Sequence, residues 1–264
     1  MVNVEEITKI ILMILFKIKL IINYINCNIM NFPKIVHLIY FPWHPNGKLK
    51  DDENDFDHTF YNNFKNKNKN WEVKLWTLSK TKEFVNEHYK DTWEEIWRLS
   101  THPIQATDFF RLLITYHFGG IFWQYGSTQL LPLEFFIPLN GKKIKLFVET
   151  IISKQFSIIQ SRRPIRRGKL EELVRISFGC FSAYPKNSFL NYCIIKSLHN
   201  LKTLKVRESY DILYIGANAM ISEAFAECHN KKDMILEYRT NKFIKFNSMG
   251  SWRLNSYQKI NSIP

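Results

Sequence analysis

Short apolar runs alternate with amphipathic stretches along the chain after residue 32. Ile35 to Phe41 is a short apolar run whose length favours a buried strand of a parallel sheet. Trp71 to Trp76 is predicted to be a second strand, and a helical stretch is predicted from about Thr81 to Leu99. Strand character returns at Ile121 to Tyr125. The pattern therefore predicts strands separated by helices.

The best-defined predicted element is a helix that ends at Gly119 and Gly120. Thr101 can cap this helix, and Pro103 lies in its first turn. Its apolar face consists of Ile104, Phe109, Leu112, Leu113 and Tyr116. The order strand, helix, strand, helix, strand predicts an α/β fold with a mostly parallel central sheet flanked by helices.

The rest of the chain also contains predicted strands and helices. Phe178 to Tyr184 is a predicted strand, and Asp211 to Ala226 is predicted to begin as a turn or strand and to become helical. An Asn/Lys-rich stretch that ends at Asn70 follows an acidic loop at Asp51 to Asp57. No internal repeat or Gly/Ser linker divides the chain, so we predict one domain over residues 30–264.

Residues 1–29 form an apolar and basic extension. The apolar run from Ile10 to Phe16 is followed by Lys17 and Lys19, and a bilayer span needs about 20 apolar residues. A weak membrane anchor or an interfacial helix is one interpretation. Because Met30 directly precedes the globular pattern, the other is an upstream extension that is dispensable for folding, which we favour.

Charge and composition exclude several classes of protein and of binding partner. The chain has 264 residues, 45% of them hydrophobic, and a formal net charge of +13, which excludes a disordered or collagen-like protein. A positive surface attracts phosphates, nucleic acid or anionic lipid. Since the sequence has no RNP motif, zinc finger or basic recognition helix, we expect no nucleic-acid partner. The four cysteines are far apart and are expected to be reduced, buried thiols.

Several segments resemble one enzyme family. They are Pro33 to His37, Asn70 to Trp76, Ala106 to Arg111 and Gly119 to Phe122, with weaker matches at Gly179, Pro185 and Gly250 to Trp252. Together they resemble the sugar-nucleotide-dependent glycosyltransferases with a DXD motif on a GT-A fold, such as yeast α-1,6-mannosyltransferase-like and capsular polysaccharide glycosyltransferases. The resemblance implies retaining transfer of a hexose from a nucleoside-diphosphate sugar to a hydroxyl of a glycan or protein acceptor.

The sequence departs from this family at the acidic motif. Gln124 and Gly126 occupy the positions of its two aspartates. The family uses Mn²⁺ or Mg²⁺, and such hard cations prefer carboxylate oxygens. We therefore predict no metal site and no cofactor here.

The resemblance also suggests donor-binding residues. Asp108 and Arg111 lie on one helix face; in the family the aspartate holds sugar or ribose hydroxyls and the arginine supports it, whereas the alternative is an ordinary salt bridge. The other predicted donor-binding residues are Tyr40, Phe41, Gln124, Tyr125 and Trp252. Core packing is the alternative for the aromatic ones, and His37 is predicted to be a buried strand histidine.

A basic loop could take over the electrostatic role of the two missing aspartates. Arg162, Arg163, Arg166 and Arg167 could neutralise a diphosphate through bidentate hydrogen bonds. The alternative is a solvated basic surface. Two hypotheses follow: a metal-independent glycosyltransferase, or a catalytically inactive relative that binds a nucleotide, a glycan or a partner protein.

Overall fold

The computed structural model describes residues 32–41, 58–139, 141–153, 172–206 and 209–247. Eight strands are present in these ranges: β1 (Ile35–Ile39), β2 (Glu72–Trp76), β3 (Gly120–Trp123), β4 (Thr128–Gln129), β5 (Ile144–Ser153), β6 (Glu172–Ala183), β7 (Met234–Glu237) and β8 (Ile244–Lys245). The same ranges hold the helices α1 (His58–Lys67), α2 (Leu78–His88), α3 (Thr92–Leu99), α4 (Pro103–Phe118), α5 (Ser188–Thr203), α6 (Ser209–Gly216), α7 (Asn218–Glu227) and α8 (Thr240–Phe243).

A six-stranded sheet in the order β2-β1-β3-β6-β5-β7 forms the centre of the fold. β1 pairs in parallel with β2 and β3, and β5 pairs in parallel with β7. β6 is antiparallel to both of its neighbours, β3 and β5. Five strands therefore point the same way, and the predicted α/β class with a mostly parallel sheet is confirmed.

Alternating side chains of β3 divide the core into two layers. Phe122 belongs to the larger cluster with α2 to α7. Ile121 and Trp123 point to the other side, where Trp123 packs on Phe64 of α1 and on Phe136. Because both faces are covered, the inner strands carry apolar residues at nearly every position.

The turn between α4 and β3 requires glycine. Gly119 has φ +68° and Gly120 has φ +90°. A Cβ on Gly120 would lie 2.4 Å from the backbone oxygen of Ile35. The two glycines thus end α4 and let β3 pair with β1 at once.

Several predicted boundaries are wrong. The single helix over residues 81–99 is two helices, α2 and α3, separated at Asp91, which has φ +62°. The N-cap of α4 is His102 instead of Thr101. Helix α1 lies in the Asn/Lys-rich stretch, and Ser209–Gly216 is helical, where a turn or strand was expected.

Predictions for buried polar residues are confirmed. His37 is fully buried in β1, and Cys180 and Cys193 are buried free thiols, whereas the free thiol Cys228 is only half-buried. Along the described part of the chain, every helix is too short or too polar to cross a bilayer. The extension at residues 1–29, Cys27 and the acidic stretch Asp51 to Asp57 lie outside the described residues.

Candidate functional site

The carboxyl ends of β1 and β3 bring predicted site residues together. These strands are parallel neighbours, so the residues that follow them meet at one edge of the sheet. The rings of Tyr40 and Tyr125 are 4.9 Å apart, and Tyr125 also contacts Phe60 at 4.6 Å. Both tyrosines are half-buried, whereas Phe41 is buried in the core near Trp97. Phe41 thus occupies the core position that the alternative interpretation predicts.

Asp108 and Arg111 form a buried ion pair in α4. Arg111 Nη2 lies 2.6 Å from Asp108 Oδ1, and the two side chains are only 11% and 5% exposed. Burial raises the pKa of the Asp108 carboxyl, and the adjacent Arg111 charge opposes that shift. The pair is therefore not a surface salt bridge, and breaking it would leave an uncompensated buried charge.

Arg111 connects this pair to the sheet. Its Nη1 donates to the carbonyl oxygen of Phe178 at 2.9 Å. Its guanidinium carbon lies 4.7 Å from the ring centre of Phe122 and 4.8 Å from that of Phe178. The next carbonyl, that of Gly179, accepts the backbone N–H of Gln124 at 2.7 Å. Two consecutive carbonyls of β6 therefore join Arg111 to the position of the acidic motif.

A bulge in β6 makes this arrangement possible. Between the pairs Leu146↔Phe181 and Val148↔Ile176, β5 advances by two residues and β6 by five. In that interval β6 pairs with β3 through Trp123↔Cys180. Bulges of this kind redirect side chains and carbonyls and are frequent beside active sites.

The turn after β3 carries the two substituted positions. A Cβ on Gly179 would lie 2.4 Å from Gln124 Oε1 and 2.6 Å from the Phe246 ring, so Gln124 packs against the bare backbone of Gly179. Gly126 has φ +80°, and no atom lies within 4 Å of where its Cβ would be. Asn247 Nδ2 donates to Gly126 O at 2.7 Å and to Thr128 Oγ1 at 2.9 Å. The segment after β8 therefore lies on this turn.

Two polar atoms beside the site are buried without a hydrogen-bond partner among the described residues. They are Arg111 Nε and Ser127 Oγ. Such orphaned atoms are uncommon in folded proteins and call for an explanation. Arg111 belongs to the buried ion pair, and Ser127 lies in the turn that begins at Gln124.

Sequence reasoning missed a second polar group, which lies in the middle of β5. Glu149 lies at a register shift between Val148↔Ile176 and Thr150↔Arg175. Its Oε2 accepts a hydrogen bond from Asn218 Nδ2 and lies 3.6 Å from Arg175 Nε. Gly216, the last residue of α6, comes two residues before Asn218 and lies close to the ion pair, since a Cβ on Gly216 would be 3.7 Å from Asp108 Cβ. No short motif marks these residues, which come from three separate segments.

A cavity of about 530 Å³ lies along the outer edge of β2. It is lined by α1, β2 and α2, with Tyr61, Trp76, Phe84 and Phe118 among its aromatic residues. None of its lining residues belongs to the predicted site.

The comparisons with known proteins concern this same region. The family model described as the glycosyltransferase sugar-binding region containing a DXD motif matches residues 55–124, and so ends on Gln124. Residues 55–124 are thus similar to the sugar-binding region of DXD-containing glycosyltransferases. The predicted family resemblance is thereby confirmed.

One curated relative and one solved structure are similar to the chain. Inositol phosphoceramide mannosyltransferase 1 of Schizosaccharomyces pombe (strain 972 / ATCC 24843) is 26% identical over 153 residues, which cover 57% of this chain and 39% of the relative. The chain thus matches about two fifths of that relative's length. The solved structure named PaToxG Glycosyltransferase has a TM-score of 0.44 and 13% identity, over 79% of this chain and 75% of that one.

The residues at the positions of the acidic motif do not fit the divalent cation that the resemblance implies. Gln124 supplies one neutral amide oxygen, which packs on Gly179, and Gly126 supplies no side chain. Within the described ranges, no three His, Cys, Asp or Glu residues cluster as metal ligands. This donor set lacks the carboxylates that Mg²⁺ and Mn²⁺ prefer.

The remaining predicted residues lie outside the described part of the chain. They are Arg162, Arg163, Arg166, Arg167 and Trp252. Their proposed contacts with a donor stay predictions. The described ends of β5 and β6, at Ser153 and Glu172, show only that the basic loop connects those two strands.

Proposed function

We propose that this chain is a glycosyltransferase-type protein that binds a nucleoside-diphosphate sugar at the carboxyl ends of β1 and β3. The observation that carries the proposal is the contact chain from Asp108 through Arg111 and the β6 bulge to Gln124. It joins the pair expected to hold the sugar or ribose to the turn expected to lie beside the diphosphate. The family match over residues 55–124 supports the same assignment.

Each side chain has a proposed task. Asp108 Oδ2 accepts a hydrogen bond from a hydroxyl of the donor, while Arg111 holds Oδ1 and fixes the carboxylate in one orientation. Tyr40 and Tyr125 offer ring faces for the nucleobase. Arg162, Arg163, Arg166 and Arg167 stabilise the negative charge of the departing diphosphate, which in the family is done by a cation.

The reaction that follows is a retaining transfer of a hexose to a hydroxyl of a glycan or protein acceptor, without a metal. The mannosyltransferase relative supports hexose transfer as the reaction class. The second candidate is an inactive relative that binds a nucleotide, a glycan or a partner protein. The observation that favours it is the substitution at Gln124 and Gly126, since loss of an electrostatic stabiliser typically lowers the rate by about 10²–10³.

A thermal-shift panel tests the proposal. The full chain is heated with UDP, GDP, UDP-glucose and GDP-mannose, first with EDTA and then with Mn²⁺. We expect at least one nucleotide to raise the melting temperature with EDTA present, because bound ligand stabilises the folded state.

The outcomes separate the hypotheses. A shift that needs Mn²⁺ would contradict the metal-independent site. An unchanged melting temperature with every ligand, both in EDTA and in Mn²⁺, would contradict donor binding. A shift with no sugar transferred to any hydroxyl acceptor, water included, would favour the inactive relative.

A further inference from the structure

Seven lysines lie at the end of the sheet opposite the candidate site. Lys34 directly precedes β1, Lys143 directly precedes β5, and Lys69 comes three residues before β2. β6 runs the other way, so Lys186, three residues after Ala183, reaches the same end. We call this set the lysine row: Lys34, Lys69, Lys142, Lys143, Lys186, Lys231 and Lys232.

Hydrogen bonds connect the part of the row that lies at β5, β6 and β7. Lys143 N donates to Asp233 O at 2.7 Å, and Tyr184 N donates to Lys143 O at 2.9 Å. Lys142 Nζ donates to the carbonyl of Lys232. The row follows the whole edge from β2 to β7, which is roughly 24 Å at the usual strand spacing of about 4.8 Å.

The described lysines of the row form no ion pairs. Among the described residues, none of its members forms an ion pair with a carboxylate. Carboxylates on the adjoining turns include Glu72, Asp91, Glu134 and Asp233. Glu72 lies 3.4 Å from Lys74, and Glu134 accepts the indole N–H of Trp71. Five of the row's lysines are exposed: Lys34, Lys69, Lys143, Lys186 and Lys232.

Tyrosines stand beside the row. Lys143 Nζ lies 5.0 Å from the ring centre of Tyr184, and Lys186 Nζ lies 4.9 Å from that of Tyr116. Tyrosine rings and lysine ammonium groups together suit the headgroup region of a bilayer, where one end of each side chain is apolar and the other polar.

The chain joins this end of the fold at Phe32, which packs on Trp71 and Tyr184. The sequence that precedes Phe32 is rich in isoleucine and leucine and contains Lys9, Lys17 and Lys19. An apolar segment next to a basic surface supplies the two signals that stable peripheral membrane association requires. This is why a lipid surface fits better than a nucleic acid.

We propose that the lysine row binds the surface of an anionic membrane. The candidate site, at the carboxyl ends of the strands, then faces away from that membrane. The inference does not depend on the proposed function, since no residue of the row belongs to the candidate site.

Co-sedimentation of the full chain with lipid vesicles tests this inference. One vesicle is phosphatidylcholine alone, and the other also contains phosphatidylserine. The test variant replaces Lys34, Lys143, Lys186 and Lys232 by Gln. The control variant makes the same change at Lys80, Lys82, Lys205 and Lys242, which lie in the first turn of α2, after α5 and in α8, on the side of the strands' carboxyl ends.

We expect wild type and control to bind the phosphatidylserine vesicles and to bind less as salt rises. Each lysine near such a surface contributes roughly fivefold in partitioning, so the test variant should bind at least about tenfold less. Equal melting temperatures of the two variants would show that both are folded.

Three results would overturn the inference. Binding of the test variant equal to that of the control would show that the row is not used. Equal binding of wild type to both vesicles would assign the affinity to the apolar segment. Release of wild type from the vesicles by a short RNA at the same salt would assign the affinity to nucleic acid. A nucleotide-induced thermal shift measured on the test variant keeps failure of this inference separate from failure of the donor site.

Discussion

Arg111 holds three groups in place at the candidate site. It pairs with Asp108, donates to the carbonyl of Phe178 and lies over the ring of Phe122. Removing two charges from water is expensive, and a buried pair is often no more stable than apolar residues of similar volume. Stability alone is therefore a weak reason for this pair, and orientation of a carboxylate towards a ligand is the better one.

The spacing of Asp108 and Arg111 could be predicted from the sequence because both belong to a helix whose ends are marked by Pro103 and Gly119. Their burial and the contact with Phe178 could not. That contact joins residues 67 apart in the chain and depends on the bulge of β6. A bulge has no local sequence signature in this strand, so only the folded sheet reveals it.

His37 makes the stability of the fold sensitive to acid. Its Nδ1 accepts the indole N–H of Trp76 at 3.0 Å, and its Nε2–H donates to Gly119 O at 2.8 Å. Only the neutral ring fits both partners. Burial lowers the pKa of His37 to about 4 from an ordinary value of 6.5.

We therefore predict that the contribution of His37 to stability falls as the pH drops from 6.5 towards 4. In this window the unfolded chain binds more protons than the folded chain, so the free energy of unfolding decreases by up to about 1.4 kcal/mol per pH unit for this histidine. Burial also lowers the pKa of His102 to about 4, so this histidine adds a loss of stability of the same sign.

Urea denaturation at pH 7 and pH 5 measures this effect. The variant His37→Gln should lose less stability between the two pH values than wild type does, although it starts from a lower value. An identical pH dependence in both proteins would show that His37 is not responsible.

At the scale of the elements, the turns before and after β3 differ in how much space surrounds their glycines. Gly120 has φ +90° and faces the backbone oxygen of Ile35, whereas Gly126 has φ +80° and open space around it. The two glycines share a conformation and differ in their surroundings, which makes them a matched pair.

We predict that Gly120→Ala destabilises the protein by about 3 kcal/mol or more, because overpacking adds to the strain of a positive φ. Gly126→Ala should cost only about 1–2 kcal/mol, from the strain alone. Chemical denaturation of both variants measures the difference. Equal losses would mean that contact with Ile35 does not constrain the turn.

Helices differ in how well the sequence predicts them. α4 was predicted because its apolar period is long and Pro103 and Gly119 mark its ends. α1 was missed because its Asn/Lys-rich sequence has weak helix propensity and buries only Phe64. Packing of Phe64 on Trp123, 59 residues further along the chain, stabilises it, and no local pattern shows such a contact.

At the scale of the whole molecule, the sheet separates the two proposed binding sites. The carboxyl ends of its strands carry the candidate donor site, and the amino ends carry the lysine row. Alternation of strands and helices was enough to predict the α/β class. The charge of the chain was known from its composition, but the placement of seven lysines at one end of the sheet depends on where its strands begin and end.

The missing acids decide what chemistry this molecule supports. An amide at Gln124 and a hydrogen at Gly126 cannot replace two carboxylates as metal ligands. If the donor binds, its charge must be balanced by the protein's own cations. Metal-independent binding is thus the central claim, and Asp108 is the residue on which it depends.

Titration calorimetry of UDP-glucose and GDP-mannose in EDTA tests that claim most directly. The proteins are wild type, Asp108→Asn and the control Glu237→Gln, which changes a carboxylate of similar burial in an ion pair with Lys145. Each must first show cooperative unfolding. We predict that one donor binds wild type and control equally and binds Asp108→Asn about ten- to a hundredfold more weakly, the loss expected for a hydrogen bond to a charged group. Equal affinity for wild type and Asp108→Asn, or binding only after Mn²⁺ is added, would contradict the account.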